Sequence, residues 1–386
     1  VRDGRRVALF TAAARAAGLA APRVVGWSRV LRAGAVFAPG ETVRIDSPGE
    51  DMAVEGALRG VDDPTRVEGT ARWYARFTSA TMEVADAARA AGAQLLDDPG
   101  ELTVLFDKRR CHGVLRAAGV PVPPSPTSRA PATPLRVRST SAGGAGAVES
   151  AGPCAPVRGW DDVRALLTGP GGLRRAFVKL AHGSSASGVL AVEWAGPGRV
   201  SARTSVERSP DGRLFNSLRV RRYATEAEVA ALVDALAPDG LHVERWLPKA
   251  SQRGRAADLR IVVVGGRATH AVVRTSRSPM TNLHLGGARG ELAAARAATE
   301  AAGVVWGEVL GLAERAAACF PGTLCVGVDV LPGTGWRRFA VGEVNAFGDL
   351  LPRLTGLPGS GAEGLDTYGA QIAAVTTKEH HHHATR

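Results

Sequence analysis

Apolar residues recur at helical spacing over 5–18 and again over 65–92, while PRVVGW (22–27) and ETVRID (41–46) have the look of strands. Residues 1–105 therefore read as a small α/β unit. The polar loop DSPGED (46–51) follows the second of these strands, a place that suits ligand contacts and a plain turn equally. Periodicity then fades across 121–158, which is rich in Pro, Ala, Gly and Ser. It holds one strand-like run, LRVRS (135–139), and a stretch around SAGGAGAVESAG that reads as a mobile loop. WDDVRALL (160–167) is a helix, and AFVKL (176–180) and VLAVEW (189–194) are strands joined by AHGSSASG. From 241 come HVERWL, DLRIVVVGG and ATHAVVRTS, three strand-like runs with Gly265-Gly266 as a tight turn. Residues 291–320 form a long helical stretch with a break near Gly303. VGVDVL and RFAVGEVN alternate on either side of Pro332, Gly333 and Gly335, which predicts a β-hairpin over 325–347. The tail TTKEHHHHATR reads as disordered, and a tag or low-complexity end explains its four histidines better than a metal site does.

Composition narrows the classes. A chain of 386 residues with 45% hydrophobic and 22% charged residues is globular and holds two or three domains' worth of core. No uncharged apolar run approaches the ~18 residues of a membrane helix. Arg15 interrupts the first apolar run, so the start reads as an amphipathic helix and not as a signal peptide. Cys111, Cys154, Cys319 and Cys325 lack metal-site spacing and fit reduced thiols, in keeping with a cytoplasmic protein. The net charge of +11 invites a nucleic-acid reading, but the arginines are spread along the chain without a basic block. Of the 48 basic residues only four are lysines: Lys108, Lys179, Lys249 and Lys378. Where arginine has replaced lysine so widely, a remaining lysine marks a place that needs a compact ammonium.

Candidate chemistry lies in four pieces. In the hairpin, period-two alternation puts Glu343 and Asn345 on one face. A register that set Asp329 opposite them would give an oxygen-only cradle suited to Mg²⁺; two acids on an exposed hairpin is the plainer alternative. The AHGSSASG loop (Gly183, Ser184, Ser185, Gly188) offers backbone N–H groups and hydroxyls to a polyphosphate, although Val189 stands where a Walker lysine would be. Lys179, two residues before the loop, shares a strand face with Phe177 and could reach phosphates beneath it. Arg260 and Arg274 interrupt apolar strands, which is costly without an anion: a substrate oxygen, or an acid such as Asp258. TNLHLGGARG (281–290) adds Asn282 and His284.

In this order the pieces resemble the ATP-grasp superfamily of carboxylate–amine ligases, over roughly 106–352. FDKRRCHGVLRAAGVPVPP (106–124) looks like the opening of the family's core, with Lys108 at its first nucleotide lysine. FVKLAHGSSASGV is similar to the strand lysine and phosphate flap, and HVERWLP to the hinge strand, with Glu244, Trp246 and Leu247 at the nucleotide. The strands bearing Arg260 and Arg274 and the NLHLGG loop resemble the branch that includes ribosomal-protein glutamate ligases. GVDVL and VGEVNAFGD are similar to the metal-binding Asp and Glu-x-Asn. The resemblance implies an α/β chain of α+β subdomains in an ATP-grasp fold. A small pre-ATP-grasp domain would occupy 1–105 and the ATP-grasp domain 106–375, the latter made of a lid and flap subdomain at about 125–240 and a metal- and substrate-binding subdomain at 241–375. A disordered tail would follow at 376–386.

It also implies a reaction: ATP phosphorylates a small-molecule or peptide carboxylate, and an amine attacks the acyl phosphate. Lys108 and Lys179 would hold phosphates, and Asp329, Glu343 and Asn345 would hold Mg²⁺, with Mn²⁺ as a substitute. Arg260, Arg274 and Asn282 would steady the acyl phosphate. No nucleic acid or membrane partner is expected, and a homo-oligomer is compatible with the family. Two other readings stay open: a regulatory ATP-binding protein on the same fold, and a basic nucleic-acid binder.

Overall fold

The computed structural model describes residues 4–49, 51–129, 156–183, 186–347, 351 and 354–384, with side chains as far as Thr377. The expected LRVRS strand, the loop around SAGGAGAVESAG, Cys154, Ser184 and Ser185 lie outside the described residues.

Two antiparallel sheets face each other. The lid sheet runs in the order Leu214–Tyr223, Val200–Arg208, Leu190–Trp194, Arg175–Leu180, Leu241–Arg245. Helices Trp160–Thr168 and Glu226–Leu236 pack on it through a core that includes Leu167, Val178, Leu190, Leu232 and Val243. The second helix starts with a capping box, Thr225 and Glu228 exchanging bonds with each other's backbone. The floor sheet runs Ala288–Arg289, Arg267–Ser276, Arg255–Val264, Cys325–Pro332, Phe339–Ala346, with Ser251–Gln252 also pairing on the Arg255–Val264 strand.

Alternation in the floor strands sorts core from chemistry. Leu259, Ile261, Val263, Val326, Val328, Val330, Val341 and Val344 join the large core beneath, against the helices Leu292–Ala301 and Trp306–Ala317. Val262, Val264, Val272 and Cys325 belong to the opposite face, under Leu351, Ala362 and Ala370. The positions that share this second face nearer the lid are Asp258, Arg260, Arg274, Asp329, Glu343 and Asn345. The helical stretch at 291–320 does break at Gly303, whose φ of 84° suits only glycine.

One expectation fails. PRVVGW is not a strand: the chain runs unpaired to a helix, Trp27–Ala33, and the only sheet described in this region is the two-residue parallel pair Thr42–Val43 with Gln94–Leu95. The helix Thr367–Ala384 runs on into the tail. Val54, Leu58, Trp73 and Phe77 share one continuous core with the floor sheet and its helices. Trp73 stacks on Phe77 at 4.7 Å and Phe77 meets Phe106 at 5.0 Å, which knits the first segment to the second.

Candidate functional site

The cleft between the sheets is lined by Lys108, Lys179, Lys249, Glu244, Arg274 and Asp329, among others. Asp329 pairs in register with Glu343 on one side and with Arg260 on the other, and Gly327 pairs with Asn345. The hairpin therefore does set Asp329 beside Glu343, with the extra residue Gly342 taken up as a bulge.

Each acid in the cleft already has a cation. Arg260 Nε is 2.6 Å from Asp329 Oδ1, and Arg274 Nη2 is 2.8 Å from the same oxygen. Burial would raise the Asp329 pKa, but Arg260 and Arg274 outweigh it and hold the carboxyl below its usual range. Arg274 Nε also donates to Asp258 Oδ1 at 2.9 Å. The Asp258 partnership foreseen for one of the arginines thus falls to Arg274, with Asp329 shared between both. Lys108 pairs with Glu343 and Lys179 with Glu244. Glu244 is fully inside, where burial pushes its pKa up, yet Lys179 and His242 hold it down at about 2. Its Oε2 has no hydrogen-bond partner and lies 3.3 Å from His242 Nε2. Burial opposes the Lys179 ammonium too, and Glu244 with Glu343 keeps its pKa above the usual value.

The flap is braced from below. Gly188 has φ 69°, and a Cβ there would sit 2.4 Å from Leu180 Cδ1 in the lid core, so only glycine fits. Lys108 N–H bonds the Ala181 carbonyl at 2.9 Å, which ties the first helix of the core to the root of the flap. His182 stacks on Tyr74 with ring centroids 3.9 Å apart and joins the flap to the N-terminal segment. From above, Val189 packs with Met280 and Leu285 across the cleft. With the flap so placed the cleft holds about 110 Å³, below the roughly 300 Å³ at which small-molecule pockets begin.

Lys108, Lys179, Gly183, Glu244, Leu247, Arg274, Asn282, Asp329 and Glu343 all line this one cleft. Arg260 lies behind Asp329, and Gly188 shapes the flap from outside the lining. Asn345 donates Nδ2–H to the Gly327 carbonyl at 3.2 Å, which orients its amide on the floor. Trp246 packs at a tilt against Phe177, ring centroids 5.5 Å apart, with the Arg175 guanidinium 4.5 Å from its ring, and its backbone N–H donates to the Arg175 carbonyl. Leu247 lines the cleft and Trp246 does not.

Lys249 was missed. Its Nζ lies 3.6 Å from Asp258 Oδ2 and 3.4 Å from Thr281 Oγ1, and burial pulls its pKa down against the pull of Asp258. The scarcity of lysine was the signal: three of four lysines face one cleft. Asp258, which also accepts from Thr281, had been considered only as an ion-pair partner.

Among the described residues, no group of three or more His, Cys, Asp or Glu side chains could hold a metal ion unaided. The donors on the floor are two carboxylates and an amide, all hard oxygens. That set fits a Mg²⁺ that takes its remaining ligands from phosphates and water.

No family model matches the sequence, and no curated protein matches it. Solved structures do resemble it along nearly its whole length. D-cycloserine synthetase DcsG is 16% identical with a TM-score of 0.53, the match covering 96% of this chain and 93% of that one. ATP-grasp ligase PsnB, complexed with a minimal precursor, is 16% identical with a TM-score of 0.51 over 97% and 96%. Macrocyclase MdnC from Microcystis aeruginosa MRC, bound with precursor peptide MdnA, is 11% identical with a TM-score of 0.51 over 98% and 97%. The chain has the ATP-grasp fold. At such identities the likeness establishes the fold, and the chemistry rests on the residues.

Proposed function

We propose that the chain is an ATP- and Mg²⁺-dependent ligase that activates a carboxylate as an acyl phosphate and couples it to an amine. One observation carries the reading: Asp329 and Glu343 stand side by side in register on the floor, in the cleft that Lys108, Lys179 and Lys249 also line. A basic and an acidic set in one cleft suit a polyphosphate with its cation. The names of the three similar structures, a synthetase, a ligase and a macrocyclase, agree with bond formation of this kind.

In the absence of ligand the two sets neutralise each other. On binding, Lys108 and Lys179 would turn from Glu343 and Glu244 towards phosphate oxygens, with Glu343 passing to the cation and Glu244 keeping His242 beside it. Glu244 Oε2, buried and without a hydrogen-bond partner, suits a donor on the base, with the Leu247 backbone beside it. Asp329, Glu343 and Asn345 would hold Mg²⁺, which would supply charge neutralisation at the transferring group. Arg274, with Arg260 behind Asp329, faces the place where the carboxylate must lie and would stabilise negative charge as it builds there. One such donor is typically worth on the order of 3–4 kcal/mol. Closure of the flap onto Met280 and Leu285 would exclude water from a hydrolysable acyl phosphate.

The test is ADP release with ATP and Mg²⁺ across a panel of amino acids, dipeptides and dicarboxylates, with hydroxylamine to trap the acyl phosphate. Glu343→Gln, with its fold checked by circular dichroism, should abolish substrate-dependent release. ATP binding without turnover on any panel would favour a regulatory protein instead. Steeply salt-dependent binding to DNA or RNA would favour the nucleic-acid reading.

A further inference from the structure

An apolar cavity of about 510 Å³ lies away from the cleft, mostly within the N-terminal segment. That is within the roughly 300–1,000 Å³ typical of small-molecule sites. Its walls are mostly apolar, including Phe10, Trp27, Val30, Phe37 and Ile372, with Arg23, Glu41 and Asp51 also in the lining, and a cluster of Arg6, Arg44 and Asp46 makes its polar end. The 22–27 run lines it too, as does most of the DSPGED loop, which the nucleotide cleft leaves unused.

The polar end is built, not incidental. Arg44 Nη1 is 2.6 Å from Asp46 Oδ2, and its guanidinium lies 4.8 Å from the Phe10 ring centroid. Arg6 Nη1 is 3.9 Å from Asp46 Oδ1 and 3.4 Å from the Phe347 carbonyl, two residues beyond Asn345. The backbone carbonyl of Asp46 is fixed by Trp27 Nε1–H at 2.8 Å. Guanidinium and carboxylate therefore stand together at one end of an apolar chamber. A ligand matched to this has a carboxylate for the arginines, an ammonium for Asp46, and a bulky apolar body.

We infer that this chamber is a binding site for an α-amino acid with a large apolar or aromatic side chain. The inference does not depend on the nucleotide reading and is tested without nucleotide. Titration calorimetry of the full chain with L-phenylalanine and L-leucine should show saturable 1:1 binding. Lysine should bind at least about tenfold more weakly, because its ammonium would be buried among apolar walls. N-acetyl-phenylalanine amide, which lacks both charges, should lose a similar factor. Ala14→Phe fills the chamber and should abolish binding; Asp46→Asn, almost isosteric, should weaken it about tenfold. Thermal melts and circular dichroism establish that each variant is folded. No saturable heat from phenylalanine or leucine would overturn the inference. So would undiminished binding by folded Ala14→Phe, or equal affinity for phenylalanine and its uncharged derivative.

Discussion

The buried Lys179–Glu244 pair allows a quantitative prediction. Glu244 is 3% exposed, and its pKa is held at about 2 against an ordinary 4.5. At roughly 1.4 kcal/mol per pKa unit, a shift of this size corresponds to about 3 kcal/mol of stabilisation of the ionised carboxyl. Lys179→Met removes its main source and leaves a buried carboxylate with only His242 near it. The loss should therefore be about 3–5 kcal/mol of folding stability at neutral pH, the usual cost of orphaning one partner of a buried pair. Part of that loss should return on acidification, as the stranded carboxyl takes up a proton. Glu244→Leu combined with Lys179→Met removes both charges and should recover most of the stability. Urea unfolding of the four proteins of the cycle, without nucleotide, measures each quantity. The double variant should nevertheless bind ATP poorly, since the same lysine is the proposed phosphate ligand. A Lys179→Met protein as stable as the parent would refute the reasoning, as would a double variant whose loss equals the sum of the singles.

Three further outcomes are expected. Asp97 is 3% exposed, and burial, opposed by Arg44, raises its pKa from 3.8 to about 7. A raised acid stabilises fully below its unfolded pKa and loses that contribution as pH rises through the folded one. The stability of the parent, measured by urea unfolding, should therefore fall between about pH 4 and pH 7 by up to about 4 kcal/mol, while that of Asp97→Asn stays flatter. Gly188→Ala drives a Cβ into Leu180 at a positive φ and should cost about 1–3 kcal/mol in a thermal melt, with flap function lost as well. Met280→Ala removes an apolar contact between the loop at 279–285 and the flap. Stopped-flow nucleotide association should become several-fold faster if the flap must lift for entry, and an unchanged rate would show that it need not.

The floor of the site was legible because its strands alternate over most of their length, with bulges at Gly342 and near Thr269. Once Val326, Val328 and Val330 face the core, Asp329 must face away, and the short turn around Gly333 sets Glu343 opposite it. Arginines in apolar strands announced anionic partners for the same reason. The lid was less legible. The Leu214–Tyr223 strand is an exposed edge with little apolar signal, and Val200–Arg208 takes its identity from that neighbour as much as from its own residues. PRVVGW misled because its apolar residues line a chamber where a sheet was expected, and alternation does not distinguish the two. Lys249 stayed hidden because no local pattern shows that residues 249, 258 and 281 converge.

The near-absence of lysine from this chain has a practical side. An amine-selective reagent has four side chains to find, and three of them line the same cleft. Acylation or reductive methylation, used on most proteins as a diffuse surface stain, would here act as a footprint of the cleft. Protection of Lys108, Lys179 and Lys249, read peptide by peptide with Lys378 as internal reference, would reveal occupancy without any assay of turnover.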